Sequence, residues 1–584
     1  MSLGTFDRND NIARLGDGTF DVLVVGGGIT GAGVALDAAS RGLSVALVER
    51  DDFASGTSSK SSKLVHGGLR YLQNGDVRLV YEALRERQRL LGNAPHLVRV
   101  LPFLIPVFEG KGGIIPKQVA RALGSAMWMY DLTGGLRIGK LHKRLRRDAA
   151  LAHMPTLDDR LAWAYLYYDA QADDARLTLT VARTAALDHG ATVVNHASVV
   201  GMRHSPTTGR VEGALVDTGD AQIEVRARVV VNATGVWADE VRALDEGTHP
   251  QSIRPAKGIH ITVPWSKVRN DIAAVVPVPQ DKRSIFVVPW AGPSGVVGDD
   301  GYTYIGTTDT DYDGDVDDPQ CTPEDIAYLL GAMNRSLRSP LDEGDVLGTW
   351  AGLRPLVRDA GSGRTADLSR RHRVAPSESG VITVTGGKLT TYREMAEDTV
   401  DAAVRLLGDS WGRARGLRVR RSRTAKLSLR GAEGWEDMAE SDPHLARRYG
   451  NEARVVQAIV DADPALGAPL VPGLPYRRAE AVYAVRYEMA TTLDDVLARR
   501  TRAVLLGRDA VIHAAEDVAA LVGAELGWTA DHQAAEVAAL RARLEHERSA
   551  GGLPETVLAS DLAAYQPDLT QEADHRRPVA FTRR

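Results

Sequence analysis

Between Phe20 and about Arg405, short runs of β-branched apolar residues alternate with glycine-rich turns and amphipathic stretches. Short apolar runs bounded by turns are typical of buried strands, and the amphipathic stretches between them have helical spacing. This alternation predicts an α/β fold for the first two thirds of the chain. The predicted strands include Val22–Val25, Val45–Val48, Val229–Val231, Ile285–Val288 and Val381–Val384.

The pattern changes after about Leu406, where alanine, arginine and glutamate dominate and apolar residues recur at helical spacing. We therefore expect a mainly helical C-terminal domain over residues 406–551; the alternative is a helical extension packed on the first core. The polar ends, residues 1–19 and 552–584, are expected to be flexible. Two helix faces are formed by Val518, Leu521, Val522 and Leu526, and by Val537, Leu540 and Leu544.

Composition and charge exclude several classes of function. The chain has 584 residues and a formal net charge of -5, which favours several domains and argues against general nucleic-acid binding. Cys321 is the only cysteine, so a disulfide framework and a cysteine-ligated iron–sulfur cluster are excluded, and redox chemistry requires an organic cofactor. We expect no metal site. Because no signal peptide or long apolar span is evident, we expect a cytoplasmic protein, with attachment to a membrane surface left open.

The segment from Phe20 to Arg50 carries a dinucleotide-binding fingerprint. An apolar run meets Gly26, Gly28 and Gly31 in the spacing GxGxxG, a helical stretch follows, and a second apolar run ends at Glu49. The glycines allow a tight turn, close approach of the backbone to a pyrophosphate, and close packing of the helix on the strand. Glu49 is expected to accept hydrogen bonds from a ribose.

Two features favour FAD over NAD as the dinucleotide. The fingerprint lies at the start of a long chain, as is usual in two-domain flavoproteins. A second apolar strand ends in the turn Asn232–Gly235. In two-domain flavoproteins this is the position of a recurring second contact with the dinucleotide. The alternative interpretation is an ordinary strand followed by a turn.

The chain resembles the FAD-dependent (respiratory, aerobic) glycerol-3-phosphate dehydrogenases over about Phe20 to Met395. The resemblance implies a glycine-oxidase-like fold: a Rossmann-type FAD domain (about 20–100, 170–250 and 345–405), a substrate domain on a mostly antiparallel sheet (about 101–169 and 251–344), and a C-terminal helical cap. The motifs that carry it are GGGITGAG (26–33), SSKLVHGGLRYL (61–72), DDARL (173–177), NATGVWAD (232–239), KGIHI (257–261), FVVPW (286–290), IGTTDTDY (305–312), AGLRPL (351–356) and GGKLTTYR (386–393).

The resemblance also implies the activity, which is oxidation of sn-glycerol 3-phosphate to dihydroxyacetone phosphate. Hydride transfer runs from C2 to flavin N5, and electrons then pass to membrane quinone. The implied substrate-binding residues are Arg70, Tyr71, Arg354 and Lys388, and the implied cofactor contacts beyond the fingerprint are Ser58, Ser59, Ser62, Gly67, Gly235, Gly387, Lys388 and Leu389.

Each assignment has a structural alternative. Arg354 suits a phosphate because its planar fork donates paired hydrogen bonds, but a structural ion pair also explains it. Lys388 is alternatively a solvent-exposed loop residue, and Tyr71 a packed core residue. His66, His260 and Arg354 are the catalytic candidates, with either histidine as general base, although a histidine on a strand such as His260 is often a satisfied core residue. A further family cation corresponds to Arg370 or Arg371.

A basic stretch suggests contact with a membrane. Residues 111–147 contain nine Lys or Arg and one acid, Asp131, and the middle of the stretch carries Trp128 and Tyr130. Basic amphipathic stretches with interfacial aromatic residues suit anionic lipid, and the alternative is a solvated helix face. We expect peripheral attachment to the inner face of the cell membrane and leave a homodimer open.

Three rival functions remain at this stage. A glycerol-3-phosphate oxidase would share the half-reaction but pass electrons to O2. Another FAD oxidoreductase of the same fold would act on an amino acid or a hydroxy acid. A non-catalytic flavin-binding membrane scaffold is the most remote.

Overall fold

The computed structural model describes residues 6–68, 76–109, 127–128, 130–131, 139–278, 283–292, 297–298, 300–358, 372–414 and 419–556. Its strands are β1 Thr19–Val25, β2 Val45–Val48, β3 Leu64–Val65, β4 Arg99–Phe108, β5 Lys143–Arg146, β6 Leu161–Gln171, β7 Thr192–Val194, β8 Ser198–His204, β9 Val211–Asp217, β10 Gln222–Asn232, β11 Ile253–Pro264, β12 Ala273–Val278, β13 Arg283–Trp290, β14 Tyr302–Gly306, β15 Thr310–Asp311, β16 Gly348–Val357, β17 Arg373–Pro376 and β18 Ile382–Thr385.

Its helices alternate with these strands at first and then follow one another directly. They are α1 Arg8–Leu15, α2 Ile29–Ser40, α3 Val77–Asn93, α4 Arg147–His153, α5 Asp174–Leu187, α6 Ala238–Glu246, α7 Trp265–Val268, α8 Pro323–Asn334, α9 Tyr392–Ala414, α10 Trp435–Ser441, α11 Pro443–Tyr449, α12 Ala453–Ala462, α13 Arg478–Glu488, α14 Ala503–Leu506, α15 Arg508–Leu526 and α16 Ala530–Ala550, with a π-helical turn at Asp495–Arg500.

The first sheet has the strand order β17-β18-β10-β1-β2-β7, and β9 and β8 extend it from β10. Strand β1 pairs in parallel with both β2 and β10, and β2 with β7. Every residue of β1 after Thr19 is buried, because helices α2, α5 and α9 cover one face and the β8–β10 region covers the other. This arrangement contains the predicted βαβ unit β1–α2–β2.

The second sheet has the order β15-β11-β14-β13-β12-β4-β6-β3, with β16 paired to β11 and β5 to β6. Its pairings are antiparallel except for β4 with β12. One face packs on α4 and α8. The long pair β11–β16 lies in register from Ile253 opposite Val357 to Thr262 opposite Gly348, and it carries several residues of the site.

Two segments that were expected in the FAD part pair with strands of the second sheet, and the limits of the two parts stay a prediction. Residues 348–357 were expected in the FAD part, but β16 pairs with β11 in the second sheet. Residues 64–65 were also expected there, but β3 pairs with β6 of the second sheet. The reason is that the chain crosses between the sheets within short loops, which neither composition nor periodicity records.

The described residues after Thr391 form helices as their regular structure, as expected for the C-terminal part. Helix α9 passes through the predicted domain limit and contains a non-helical residue, Gly408, with φ 72° and ψ 165°. The two predicted helix faces of α15 and α16 pack on each other, with Val518, Val522 and Leu544 buried in one core. The limits 406–551 of a separate domain stay a prediction.

The N-terminal end, which was expected to be flexible, contains a helix within the described residues 6–19. Helix α1 is capped by Asp7, whose side chain accepts a hydrogen bond from the Asp10 amide. Phe6 and Leu15 are buried, and the Phe6 ring lies 5.9 Å from the ring of Phe53. Two large apolar anchors therefore fix a segment whose overall polarity had suggested disorder. The C-terminal residues 557–584 lie outside the described residues.

Candidate functional site

A cavity of about 360 Å³ opens at the carboxyl ends of β1 and β10, where ligands bind in sheets of this kind. Gly26 adopts a φ of 105°, in the left-handed region that favours glycine. A Cβ on Gly31 would collide with the Gly26 carbonyl oxygen, so only glycine lets α2 start this close to the turn. Gly26 and Gly28 both line the cavity, as the fingerprint predicts.

Glu49 also lines this cavity, at the end of β2. Its Oε2 accepts a hydrogen bond from the Gly27 amide at 2.5 Å, and its Oε1 accepts one from the Asp51 amide at 2.9 Å. Burial raises the pKa of Glu49, against these two hydrogen bonds, and the carboxylates of Asp51 and Asp52 raise it further. The side chain thus fixes the glycine turn and lines the cavity, and its contact with a ribose stays a prediction.

The loop from Ser55 to Ser62 forms the next wall of the cavity. Ser58 Oγ accepts a hydrogen bond of 2.9 Å from the amide of Ile29, the first residue of α2, and lines the cavity as predicted. Ser59 is buried and lines a larger cavity, of about 580 Å³, on the other side of the loop. Its contact with the cofactor stays a prediction.

A buried carboxylate, Asp174, holds this loop in place. Its Oδ2 accepts hydrogen bonds from the Ser61 amide at 3.0 Å and the Ser61 hydroxyl at 2.7 Å. Its Oδ1 lies 3.2 Å from Lys63 Nζ and 3.2 Å from Arg502 Nη2. Burial, opposed by Asp174, lowers the pKa of the Lys63 ammonium to about 8. The DDARL motif is therefore structural here, and sequence reasoning assigned it no role.

A second cavity, of about 190 Å³, adjoins the first at Lys388 and Leu389, which line both. His66, His260, Arg354 and Ser62 line the second cavity together with Thr307. The second cavity thus brings together His66, His260, Arg354 and Lys388, the four described residues that were predicted to bind substrate or transfer a proton. Arg70, Tyr71, Arg370 and Arg371 lie outside the described residues.

Arg354 lies on β16 and points its guanidinium past the backbone of β11. A Cβ on Gly258 of β11 would collide with Arg354 Nη2, so the glycine of the KGIHI motif makes room for this group. Arg354 Nη1 lies 3.3 Å from Asp309 Oδ1, and Nη2 donates to Thr307 Oγ1 at 3.0 Å and to the Thr308 carbonyl at 3.1 Å. Arg354 therefore forms an ion pair with Asp309 and also lines the second cavity, so both of its predicted alternatives are present. Sequence reasoning missed Thr307 and Asp309, although both stand in the quoted IGTTDTDY motif.

The two histidines lie in different environments. His260 is buried, its Nε2 shares a 2.8 Å hydrogen bond with Ser62 Oγ, and its ring stacks on Trp350 at 4.7 Å. Burial, followed by the positive charges of Lys63 and Arg354, holds the pKa of His260 well below its usual value. His66 is only partly buried, and its amide donates to Thr390 Oγ1 at 3.1 Å, which ties it to the GGKLTTYR loop.

Three predicted glycines act in different ways. Gly235, with a φ of 64°, lines the FAD-type cavity. Gly387, with a φ of 81°, lines both cavities and could not carry a Cβ without meeting the Met395 sulfur. Gly67 is buried behind the site, where its amide donates to the Tyr130 hydroxyl at 3.0 Å. Gly67 therefore contributes packing rather than a wall of either cavity.

The residues present fit FAD. Gly26 and Gly28 would hold the pyrophosphate at the start of α2, and Glu49 would accept hydrogen bonds from the ribose. Lys388 and Leu389 line both cavities where they adjoin, and His66 and Arg354 line the second one.

The similarity to known proteins agrees with this site. A family model described as FAD dependent oxidoreductase matches residues 21–393, and one described as C-terminal domain of alpha-glycerophosphate oxidase matches residues 422–533. The chain is 40% identical to glycerol-3-phosphate dehydrogenase 2 of Mycobacterium tuberculosis, over 98% of this chain and 96% of that protein. It is 40% identical to the mitochondrial glycerol-3-phosphate dehydrogenase of Mus musculus, over 87% of this chain and 71% of that protein.

One solved structure covers nearly the whole chain. The crystal structure of the glycerol-3-phosphate dehydrogenase from Bacillus halodurans complexed with FAD superposes with a TM-score of 0.70 at 30% identity, over 94% of this chain and 98% of that one. The predicted fold class, with its FAD domain, antiparallel-sheet substrate domain and C-terminal helices, is confirmed, and FAD is confirmed as the cofactor.

Proposed function

The chain belongs to the family of FAD-dependent glycerol-3-phosphate dehydrogenases, and on that premise we propose that it oxidises sn-glycerol 3-phosphate to dihydroxyacetone phosphate. One observation carries the proposal: Arg354 and Lys388 share a cavity with His66 and His260 where that cavity meets the FAD pocket. Two cations beside two histidines suit a substrate that has a phosphate dianion and a hydroxyl to be deprotonated.

Bound FAD supplies the hydride acceptor, at flavin N5, for the hydrogen on C2 of the substrate. The chain's residues hold and orient the substrate. Arg354 remains charged at any working pH, and Asp309 with the Thr307 hydroxyl and the Thr308 carbonyl fixes the direction of its guanidinium. A group held this way needs little reorganisation when it binds phosphate, which favours a well-oriented C2–H bond.

We assign the two histidines different roles. His66 takes the proton of the C2 hydroxyl, because it is partly exposed, lines the substrate cavity and is fixed to the Thr390 loop. His260 is a positioning residue, because the low pKa of its buried ring disfavours the protonated form that a base must pass through. Its neutral ring orients the Ser62 hydroxyl and stacks on Trp350.

We expect Arg354→Gln to lower kcat/KM for sn-glycerol 3-phosphate by about a hundredfold or more, since charged hydrogen bonds to the phosphate are lost. The measurement is a steady-state assay with a soluble acceptor dye, with glycerol as the uncharged comparison. Arg254→Gln is the matched control, because Arg254 also pairs with an aspartate, Asp311, outside the cavity. Equal losses with both substrates, or a loss as large in the control, would contradict phosphate recognition by Arg354.

His66→Asn should slow flavin reduction by about a hundredfold to ten-thousandfold, the usual effect of losing a general base. His260→Asn should slow it far less, since an amide can still bond the Ser62 hydroxyl. Anaerobic stopped-flow absorbance measures both rates, and the acid limb of the rate–pH profile should disappear only in the His66 variant. The assignment of the base is wrong if the order of the two effects is reversed, and neither histidine is the base if both rates stay near wild type.

For the second half-reaction, we propose that electrons pass to a membrane quinone, with the protein bound peripherally to the inner face of the cell membrane. Three apolar side chains support a membrane-facing surface: Tyr81 on α3 is 45% exposed, Trp128 58% and Leu141 44%. Met127 and Tyr130 pack with Val80 and Leu84 of α3 in one core, so Trp128 and Tyr81 belong to adjoining segments.

Positive charge accompanies these apolar side chains. Lys140, Lys143 and Arg144 lie beside Leu141 in the chain, and this combination suits anionic lipid. Residues 111–126, 129 and 132–138 of the basic stretch 111–147 lie outside the described residues. None of the helices in the described ranges has the length and apolarity needed to cross a bilayer.

The double variant Tyr81→Ser, Trp128→Ser should bind vesicles of mixed anionic and zwitterionic lipid at least about tenfold more weakly, because each burial of an aromatic ring contributes on the order of 1.5 kcal/mol or more. Vesicle co-sedimentation measures this, and binding should also fall with salt. Leu215→Ser, at a side chain 37% exposed on β9, is the control and should leave binding unchanged. Salt-insensitive recovery of the wild type in the supernatant would contradict the membrane proposal.

The same preparation distinguishes quinone from O2 as the acceptor. Turnover with a short-chain quinone, and no stoichiometric peroxide in air, supports the dehydrogenase; stoichiometric peroxide without quinone supports the oxidase instead.

A further inference from the structure

Ser62 lines the substrate cavity but neither the FAD pocket nor the larger cavity. Two aromatic side chains of the second sheet hold its backbone. The Tyr304 hydroxyl donates to the Ser62 carbonyl at 3.0 Å, and Trp350 Nε1 donates to the Ser61 carbonyl at 3.2 Å. The Ser62 side chain therefore starts from a fixed position at the cavity wall. In the roles proposed above, its hydroxyl contacts no part of the substrate.

The ring of His260 fixes the direction of this hydroxyl. On β16, the strand to one side, Trp350 stacks on the ring with 4.7 Å between the ring centroids and 8° between the planes. On β14, the strand to the other side, Gly306 lies opposite His260, and a Cβ at Gly306 would collide with the ring. The ring therefore has little room to turn, and its Nε2 stays 2.8 Å from Ser62 Oγ.

The hydrogen-bond partners of the ring decide which atom donates in this pair. Burial holds the pKa of His260 low, so the ring is neutral, and its Nδ1 is buried without a hydrogen-bond partner among the described residues. Because buried N–H groups without an acceptor are rarer than unpaired acceptors, we place the ring proton on Nε2, which donates to Ser62 Oγ. Ser62 Oγ makes no other hydrogen bond within the part of the chain that the structure describes. Its own proton is therefore available to an acceptor in the cavity.

The distance between this pair and the Arg354 guanidinium fits a three-carbon substrate. The guanidinium lies over Gly258, where a Cβ would collide with it. His260 stands two residues further along β11 and on the same face, which is about 7 Å along a strand. A three-carbon chain whose phosphate lies at Arg354 spans a similar distance. The hydroxyl at its other end, on C1, would therefore reach Ser62.

We propose that Ser62 is a specificity-determining residue that donates a hydrogen bond to the C1 hydroxyl of the substrate, and that His260 positions the Ser62 side chain for this contact. The inference rests on the proposed oxidation of sn-glycerol 3-phosphate and adds the group that recognises the carbon farthest from the phosphate. A phosphorylated alcohol without this hydroxyl leaves the Ser62 donor unpaired and is a poorer substrate.

The test compares sn-glycerol 3-phosphate with 2-hydroxypropyl phosphate of the matching configuration at C2, which lacks only the C1 hydroxyl. Anaerobic stopped-flow absorbance gives, for each compound, the rate constant of flavin reduction divided by the dissociation constant. The wild type should prefer sn-glycerol 3-phosphate by about tenfold, the usual effect of one hydrogen bond. Ser62→Ala should lower the value for sn-glycerol 3-phosphate by about this factor and leave the value for the analogue unchanged, so that the preference disappears.

Two further variants separate recognition of the hydroxyl from damage to the fold. His260→Phe keeps a ring against Trp350 but removes the donor to Ser62, so it should also weaken the preference, and it keeps the test decisive if Ser62→Ala fails to load FAD. Ser205→Ala is the matched control, because Ser205 follows β8 and lines neither the FAD pocket, the substrate cavity nor the larger cavity. This control should keep the wild-type preference.

Calorimetry with the oxidised, FAD-loaded protein provides a readout without turnover. Dihydroxyacetone phosphate and acetonyl phosphate differ by the same terminal hydroxyl. The wild type should bind dihydroxyacetone phosphate about tenfold more tightly than acetonyl phosphate, and Ser62→Ala should bind the two with similar affinity.

The outcomes separate this inference from the proposed function. Equal losses with both alcohols in Ser62→Ala would overturn the inference and assign Ser62 to the cofactor instead. A wild type that reduces its flavin equally well with both alcohols would also overturn it, while oxidation of sn-glycerol 3-phosphate would stand. If neither alcohol reduces the flavin of the wild type, the proposed function fails and the inference fails with it.

Discussion

The carboxylate of Asp174 holds the loop around which all three cavities are arranged. It is fully buried and bonds the Ser61 backbone and hydroxyl, the Lys63 ammonium and the Arg502 guanidinium. Breaking such a cluster leaves a buried charge without a partner, which typically costs about 3–5 kcal/mol. Arg502 also donates to the Ser59 carbonyl, so a residue of the C-terminal helical part holds the loop directly. The loop therefore has a defined position before any ligand binds.

From this fixed loop, successive residues face different sites. Ser58 lines the FAD pocket and accepts a hydrogen bond from the first residue of α2, Lys60 lines both the substrate cavity and the larger cavity, and Ser62 bonds His260 at the substrate cavity. The opposite wall of the substrate cavity comes from β16, where Gly258 of the neighbouring strand admits the Arg354 guanidinium. Arg354 and the FAD pocket are thus held by separate sheets on either side of the loop that Asp174 fixes. This arrangement favours the proposed hydride transfer, because substrate and cofactor would each be held in one position.

Local patterns were sufficient to predict the βαβ unit, the glycine turn with Glu49, and the helical faces of α15 and α16, because each depends on residues close in the chain. The motifs indicated Arg354, Lys388, His66 and His260 but not that these residues meet, since β11 ends at Pro264 and β16, which pairs with it, begins only at Gly348. Strands β3 and β16 pair with the second sheet, and Arg502 contacts Asp174 at a separation of 328 residues. Such long-range contacts leave no periodic pattern in the sequence from which they could be predicted.

Two residues that the resemblance assigned to the cofactor do not line the FAD pocket in this structure. Ser59 lines the larger cavity instead, and Gly67 packs against Leu84 and Tyr130. Both assignments stay predictions. The N-terminal helix was missed because the segment is polar overall. Its packing depends on only two buried apolar residues, Phe6 and Leu15, which the composition does not reveal.

The most direct test of the central claim is the anaerobic addition of sn-glycerol 3-phosphate to the purified, FAD-loaded protein, followed by flavin absorbance, with glycerol as the control. Rapid bleaching by the phosphate ester and none by glycerol at equal concentration is the predicted result, because the substrate cavity places two cations beside the FAD pocket. No bleaching in a fully loaded protein, or equal bleaching by glycerol, would contradict oxidation of glycerol 3-phosphate at this site.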